Sequence, residues 1–215
     1  MRAVELFLEL MTKGGRTVMV PIFCAGVLVW YIGVGRLLFL YRISRMRRRF
    51  MDSLDAVVRE GSSIRFGLPA FDRLGEQLRV CTRTGAGPGA VRQVFREFLV
   101  YTIPELERGF SAMTAWITVA PLLGLLGTVM GMVHTFRVIT LFGVGNPSLM
   151  AEGISIALVT TEAGLIVAFP AMLFHNHLVS RKNRVKAQLL RDGESLVNRF
   201  APGPSRPPAQ ESSHV

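Results

Sequence analysis

Three long apolar runs, each nearly free of charge, limit what this chain can fold into. Val18–Gly35 holds no Asp, Glu, Lys or Arg, and beyond Arg36 the apolar character resumes as Leu37–Tyr41. Gly109–Val133 holds none over 25 residues, and Gly153–Phe174 is broken only by Glu162. A helix needs about 20 apolar residues to cross a hydrocarbon core, whereas soluble domains interrupt such stretches sooner with turns. The pattern predicts an all-α membrane protein with three transmembrane helices, at 17–38, 111–136 and 153–175, and long helical cytoplasmic extensions.

The cations predict an orientation. Of 25 Lys and Arg, three precede the first span and one, Arg36, lies within it. Thirteen separate spans one and two, one (Arg137) separates spans two and three, and seven follow. Positive charge is retained on the cytoplasmic side, so the 39–110 segment and the C-terminus are expected inside. The N-terminal segment 1–17 and the 137–152 loop are expected outside, on the periplasmic face. The net charge of +10 then needs no nucleic acid to explain it. Its densest run, Arg42–Arg49, directly follows the first span, where it suits anionic membrane lipid.

Residues 1–17 carry Glu5 and Glu9 and do not read as a cleavable signal peptide. Within them, 4–11 forms either an amphipathic helix on the outer membrane surface or an extension of the first span. Cys24 lies in a span and Cys81 in the cytoplasmic segment, so no disulfide is expected.

The cytoplasmic segment reads as helical with breaks at 61–63, 67–69 and 85–89. Thr102 with Glu105 three residues on forms a capping-box pattern, which predicts that the helix entering span two starts well inside the cytoplasm. After span three, a cytoplasmic helix over 176–200 carries Leu178, Val185, Leu189, Leu196 and Phe200 at steps of 7, 4, 7 and 4. That apolar stripe packs either against a neighbouring helix or on a cytoplasmic core of its own. Residues 201–215, rich in Pro and Ser, read as a disordered tail.

Within the spans, small residues form stripes. In span two Gly124, Thr128, Gly131 and Thr135 fall at steps of 4, 3 and 4, on one face. In span three Ala157, Thr161, Gly164, Ala168 and Ala171 fall at steps of 4, 3, 4 and 3. Small residues let membrane helices approach closely, and hydroxyls among them can hydrogen-bond or line water. At 1.5 Å per residue, Thr128 and Thr161 each lie about 12 Å from the outer ends of their spans. The two antiparallel helices would therefore carry one polar band at mid-depth, on a face expected either to pack or to line a pore.

Two segments, APLLGLLGTVMGM at 120–132 and GISIALVTTEAGLIVAFPA at 153–171, are together similar to the paired signature of the ExbB/TolQ/MotA proton-channel family. The resemblance is nearest to the ExbB/TolQ branch, and the lead-in TIPELERG at 102–109 agrees with it. It implies an inner-membrane subunit that self-associates as a pentameric ring around the single spans of an ExbD/TolR-like partner. That partner carries a proton-binding aspartate, and the proton gradient drives motion passed to a TonB- or TolA-like protein. By this resemblance Thr128 and Thr161 line the proton route, and the chain performs no substrate chemistry and needs no cofactor.

Glu162 departs from the enterobacterial pattern, in which a glutamate stands six residues earlier, where this chain has Ile156. A charged side chain at bilayer depth costs roughly 2.5–3.5 kcal/mol on insertion scales. Glu162 is therefore expected either to join Thr128 and Thr161 in the proton pathway or to be held by a hydrogen bond, for instance from Thr128, with no proton traffic. His134 lies at the opposite end of the spans from His175 and His177, too far for one metal site. No Ser/His/Asp set, phosphate loop or metal-ligand spacing is present, so no enzyme is expected. Two alternatives stand beside the energiser: a flagellar-type stator, whose branch has four spans rather than three, and a non-conducting scaffold of packed helices.

Overall fold

The computed structural model describes residues 16–59, 67–143 and 147–200. The expectations for 4–11, 61–63 and 201–215 lie outside the described residues. Among those described, 95% are helical and none is in a strand. The helices are α1 (Arg16–Arg59), α2 (Pro69–Arg83), α3 (Pro88–Glu107), α4 (Phe110–Phe142) and α5 (Pro147–Phe200). Three helical stretches, Thr17–Ser53 in α1, Pro88–Phe142 through α3 and α4, and Pro147–Asn198 in α5, are long and apolar enough to cross a membrane. The chain divides into two compact units, one from the residues up to Tyr41 with Glu107–Asn183, the other from Arg42–Leu106 with the residues from Arg184.

In the first unit α1, α4 and α5 pack through small side chains. A Cβ on Gly26 would meet Val167, and one on Gly33 would meet Phe174, seven residues further along both helices. That shared step makes α1 and α5 parallel. Against α4 the order reverses, with Gly124 meeting Gly164 and Gly131 meeting Ala157, so α4 and α5 are antiparallel. Ala25, Ala120 and Ala168, one from each helix, form a common contact. Val18, Met19 and Ile22 pack around Ala163 nearer the start of α1. At the other end Trp30 stacks on Phe174, with ring centroids 5.2 Å apart. With no hydrophobic driving force inside lipid, close packing of this kind is what holds such helices together.

The second unit has an aromatic core. Phe71 contacts Phe50 at 5.7 Å and Phe98 at 5.1 Å between centroids, and Phe95 lies 5.6 Å from Phe98. Leu189 and Leu196 line the same small void as these rings, and Val185 is also buried. The stripe along α5 thus packs, at Leu189 and Leu196, on the chain's own core; the side chain of Phe200 is outside the described set. Arg47 donates to both carboxylate oxygens of Asp192, at 3.0 and 2.8 Å, which ties α1 to α5 in this unit. Gly67 (φ 76°) and Gly85 (φ 64°) take left-handed conformations at the expected breaks, and Pro69 opens α2.

One local expectation is overturned. Thr102 does not cap the helix that enters span two, because it lies inside α3, buried, with its hydroxyl unpartnered among the described residues. The chain breaks instead at Arg108–Gly109, and α4 starts at Phe110. Gly109 has φ 81°, and a Cβ there would come 2.7 Å from Nε of Arg36. The left-handed backbone favours glycine at this point, whereas the guanidinium, at the end of a flexible side chain, can give way.

Candidate functional site

The α4–α5 seam is built where neither backbone carries bulk. A Cβ on Gly131 would lie 2.7 Å from the carbonyl oxygen of Gly153 and 2.8 Å from the nitrogen of Ala157. One on Gly124 would lie 3.0 Å from the Thr160 carbonyl oxygen, and one on Gly164 would lie 2.9 Å from that of Ala120. Gly127 faces the side chain of Thr160, and Gly153 faces that of Thr135. Gly124, Gly131, Thr135, Ala157, Gly164 and Ala168 are all buried. In this chain they meet the opposing helices rather than a cavity, so their space is filled from within.

The hydroxyls lie along that seam. Thr161 Oγ1 crosses it to donate to the Gly124 carbonyl at 3.3 Å. Because Gly127 faces Thr160, their neighbours Thr128 and Thr161 stand at nearly the same level of the helix pair. Thr128 Oγ1 donates to the Leu125 carbonyl at 2.6 Å within its own helix. Thr135 donates to Gly131 at 3.1 Å. Thr160 is fully buried and shares its proton between the carbonyls of Ile156 and Ala157, at 3.0 and 2.9 Å. Thr128 and Thr161 are only half-buried, at the edge of the seam. A hydroxyl that donates to a carbonyl still has lone pairs to accept from water or an acid.

Glu162 stands apart from the seam. It is exposed, on the face of α5 that also carries Ser155, Leu158, Leu165, Ile166 and Phe169. The Thr128 hydroxyl goes to Leu125, not to Glu162, so the suggested bond between them does not form within the chain. A carboxyl among exposed apolar side chains at bilayer depth needs cover from protein or water, since lipid offers it no partner.

Sequence reasoning passed over Thr160, Gly127 and Gly153. Their signal was present, because Gly124, Gly127 and Gly131 also fall at helical steps, of 3 and 4. The buried face is centred on that set, with Thr128 at its edge. Of the histidines, His175 Nε2 lies 3.1 Å from the hydroxyl of Thr114 on α4, and His177 accepts from Arg181 at 3.0 Å.

The profile of the MotA/TolQ/ExbB proton channel family matches residues 64–190. A biopolymer transport protein ExbB homologue of Methanothermobacter thermautotrophicus is 27% identical over 183 residues, 81% of this chain and 63% of that protein. The biopolymer transport protein ExbB of Aquifex aeolicus is 46% identical over 82 residues, covering 38% of this chain and 55% of that one. The ExbB of Neisseria meningitidis is 29% identical over 214 residues, 89% of this chain and 94% of its own length. The chain thus spans less than two thirds of the Methanothermobacter and Aquifex proteins, and nearly all of the Neisseria one.

Proposed function

The chain belongs to the MotA/TolQ/ExbB proton channel family, and we propose that it is the ring-forming subunit of an ExbB/TolQ-type energiser in a bacterial inner membrane. In this reading several copies, five by the family resemblance, enclose the single spans of an ExbD/TolR-like partner. Thr128, Thr161 and Glu162 border the proton route, and the buried small residues keep each α4–α5 wall rigid. A gradient worth about 2.3 kcal/mol per elementary charge per 100 mV then drives motion handed to a TonB- or TolA-like protein.

The observation that carries this reading is Glu162, exposed on an otherwise apolar face beside half-buried threonines at one level of the membrane unit. A second reading, the non-conducting scaffold, draws on the same region, because each of the four seam hydroxyls already donates to a backbone carbonyl.

Purification from native membrane in mild detergent, followed by native mass spectrometry, tests the assembly. A ring of about five copies with a copurifying single-span protein that carries an aspartate is expected; monomer at every concentration would overturn it. Valine at Thr128 or Thr161 tests the route, since it keeps the shape and removes the hydroxyl. Each variant should lose only about 0.5–1.5 kcal/mol of stability for the lost bond. Each should still assemble, yet conduct protons more slowly with the partner present. Full conduction in both variants would favour the scaffold.

A further inference from the structure

We propose that the groove between α1 and α5 is a binding site for one anionic phospholipid, on the cation-rich side of the membrane. The groove has a volume of about 1270 Å³, and its walls include Phe23, Val27, Trp30, Ile166 and Val167. Its charged lining residues are Arg36 and Arg108, which stand where α1 leaves its apolar run and where the chain turns into α4.

Shape, length and charge agree on this occupant. From Arg36 back to Phe23, α1 rises about 20 Å, and one leaflet of hydrocarbon is about 15 Å deep, so acyl chains fit along the wall with the headgroup at the arginines. Arg36 is held in place: its guanidinium carbon lies 5.7 Å from the Phe39 ring centroid, and its Nε passes over Gly109. Two guanidiniums at the end of an apolar channel match a phosphate joined to hydrocarbon. A second copy of this chain is the competing occupant, and the crosslinking arm of the test below separates it from lipid. The proposal requires only that α1 and α5 span the membrane, and is independent of any proton route.

Glycine at position 35 supplies a clean test. Gly35 lines the groove, and a Cβ there meets nothing within 4 Å, so a larger side chain occupies the groove without a clash against the fold. The full-length chain, delipidated in mild detergent, would be titrated with phosphatidylglycerol or phosphatidylcholine of identical acyl chains and read by native mass spectrometry. One phosphatidylglycerol per chain should be retained. Arg108→Gln should weaken it about fivefold, and Arg36→Gln with Arg108→Gln about thirtyfold, at about 1 kcal/mol per cation near a membrane surface. Gly35→Leu should abolish retention with the thermal midpoint unchanged, and Arg36→Lys should largely preserve it. Equal retention of the two lipids, or undiminished retention in Gly35→Leu, would overturn the proposal. So would a photo-crosslinker at Val27 that captures a second copy of the chain instead of lipid.

Discussion

Valine in place of Gly131 is expected to prevent α4 and α5 from closing on each other, with a loss of stability above about 4 kcal/mol. The reason is what the new side chain would meet. A Cβ at this position already falls 2.7 Å from one backbone atom of α5 and 2.8 Å from another. Backbone cannot rotate away as a side-chain tip can, so the helices must separate along the seam. Separation also removes the Thr161–Gly124 bond and the packing of Gly127 on Thr160. Alanine at 131 should be milder, at about 1–3 kcal/mol, typical of overpacking by one carbon. Alanine at Gly35 should be neutral or slightly stabilising, because no atom lies within 4 Å of the added carbon and alanine is the better helix former. Thermal unfolding in detergent and disulfide trapping between cysteines placed across the seam would both report the change. A Gly131→Val chain with the wild-type midpoint would refute this account of the seam.

The spans could be read from the sequence because a bilayer imposes one demand that few side chains meet, and Gly109–Val133 meets it without exception. The small-residue stripes were legible for the same reason. Their centre was less so: Gly127 and Thr128 both satisfy helical spacing from Gly124, and only the docked partner helix shows which one is buried. Thr160 and Thr161 pose the same ambiguity on α5. The capping-box pattern at Thr102 failed because the helix runs on through it to Glu107. The break falls instead at Gly109, whose left-handed φ of 81° separates the two helices. The apolar stripe on α5 required a covering surface, but spacing alone could not identify it as Phe71, Phe98 and their neighbours. The groove over Arg36 and Arg108 is a shape, and shape of that kind has no linear signature.

Glutamine in place of Glu162 is expected to leave assembly intact and to reduce partner-dependent proton flux on the order of a hundredfold, the lower end of what a positioned proton-transfer group contributes. The amide copies the carboxylic acid in size and hydrogen-bonding shape, but it cannot release a proton. Two features of the structure sharpen this expectation. Glu162 points away from the α4–α5 seam, so its replacement disturbs none of the contacts that hold the membrane unit together. Thr128 meanwhile directs its hydroxyl to Leu125, so no bond between the two side chains is lost. A structural role would have to be played toward another chain, and glutamine can still play it. Leucine separates the roles further. It suits the apolar surroundings of Leu158, Leu165 and Ile166 but offers no polar group, so a polar contact between chains would be lost in Leu and kept in Gln. Flux measured in liposomes with the partner present, alongside the assembled mass of each variant, reads both effects. Loss of flux in Gln and Leu alike, with both rings intact, marks a proton carrier. Normal flux in Gln with disassembly in Leu would end the relay reading and make Glu162 a contact between subunits.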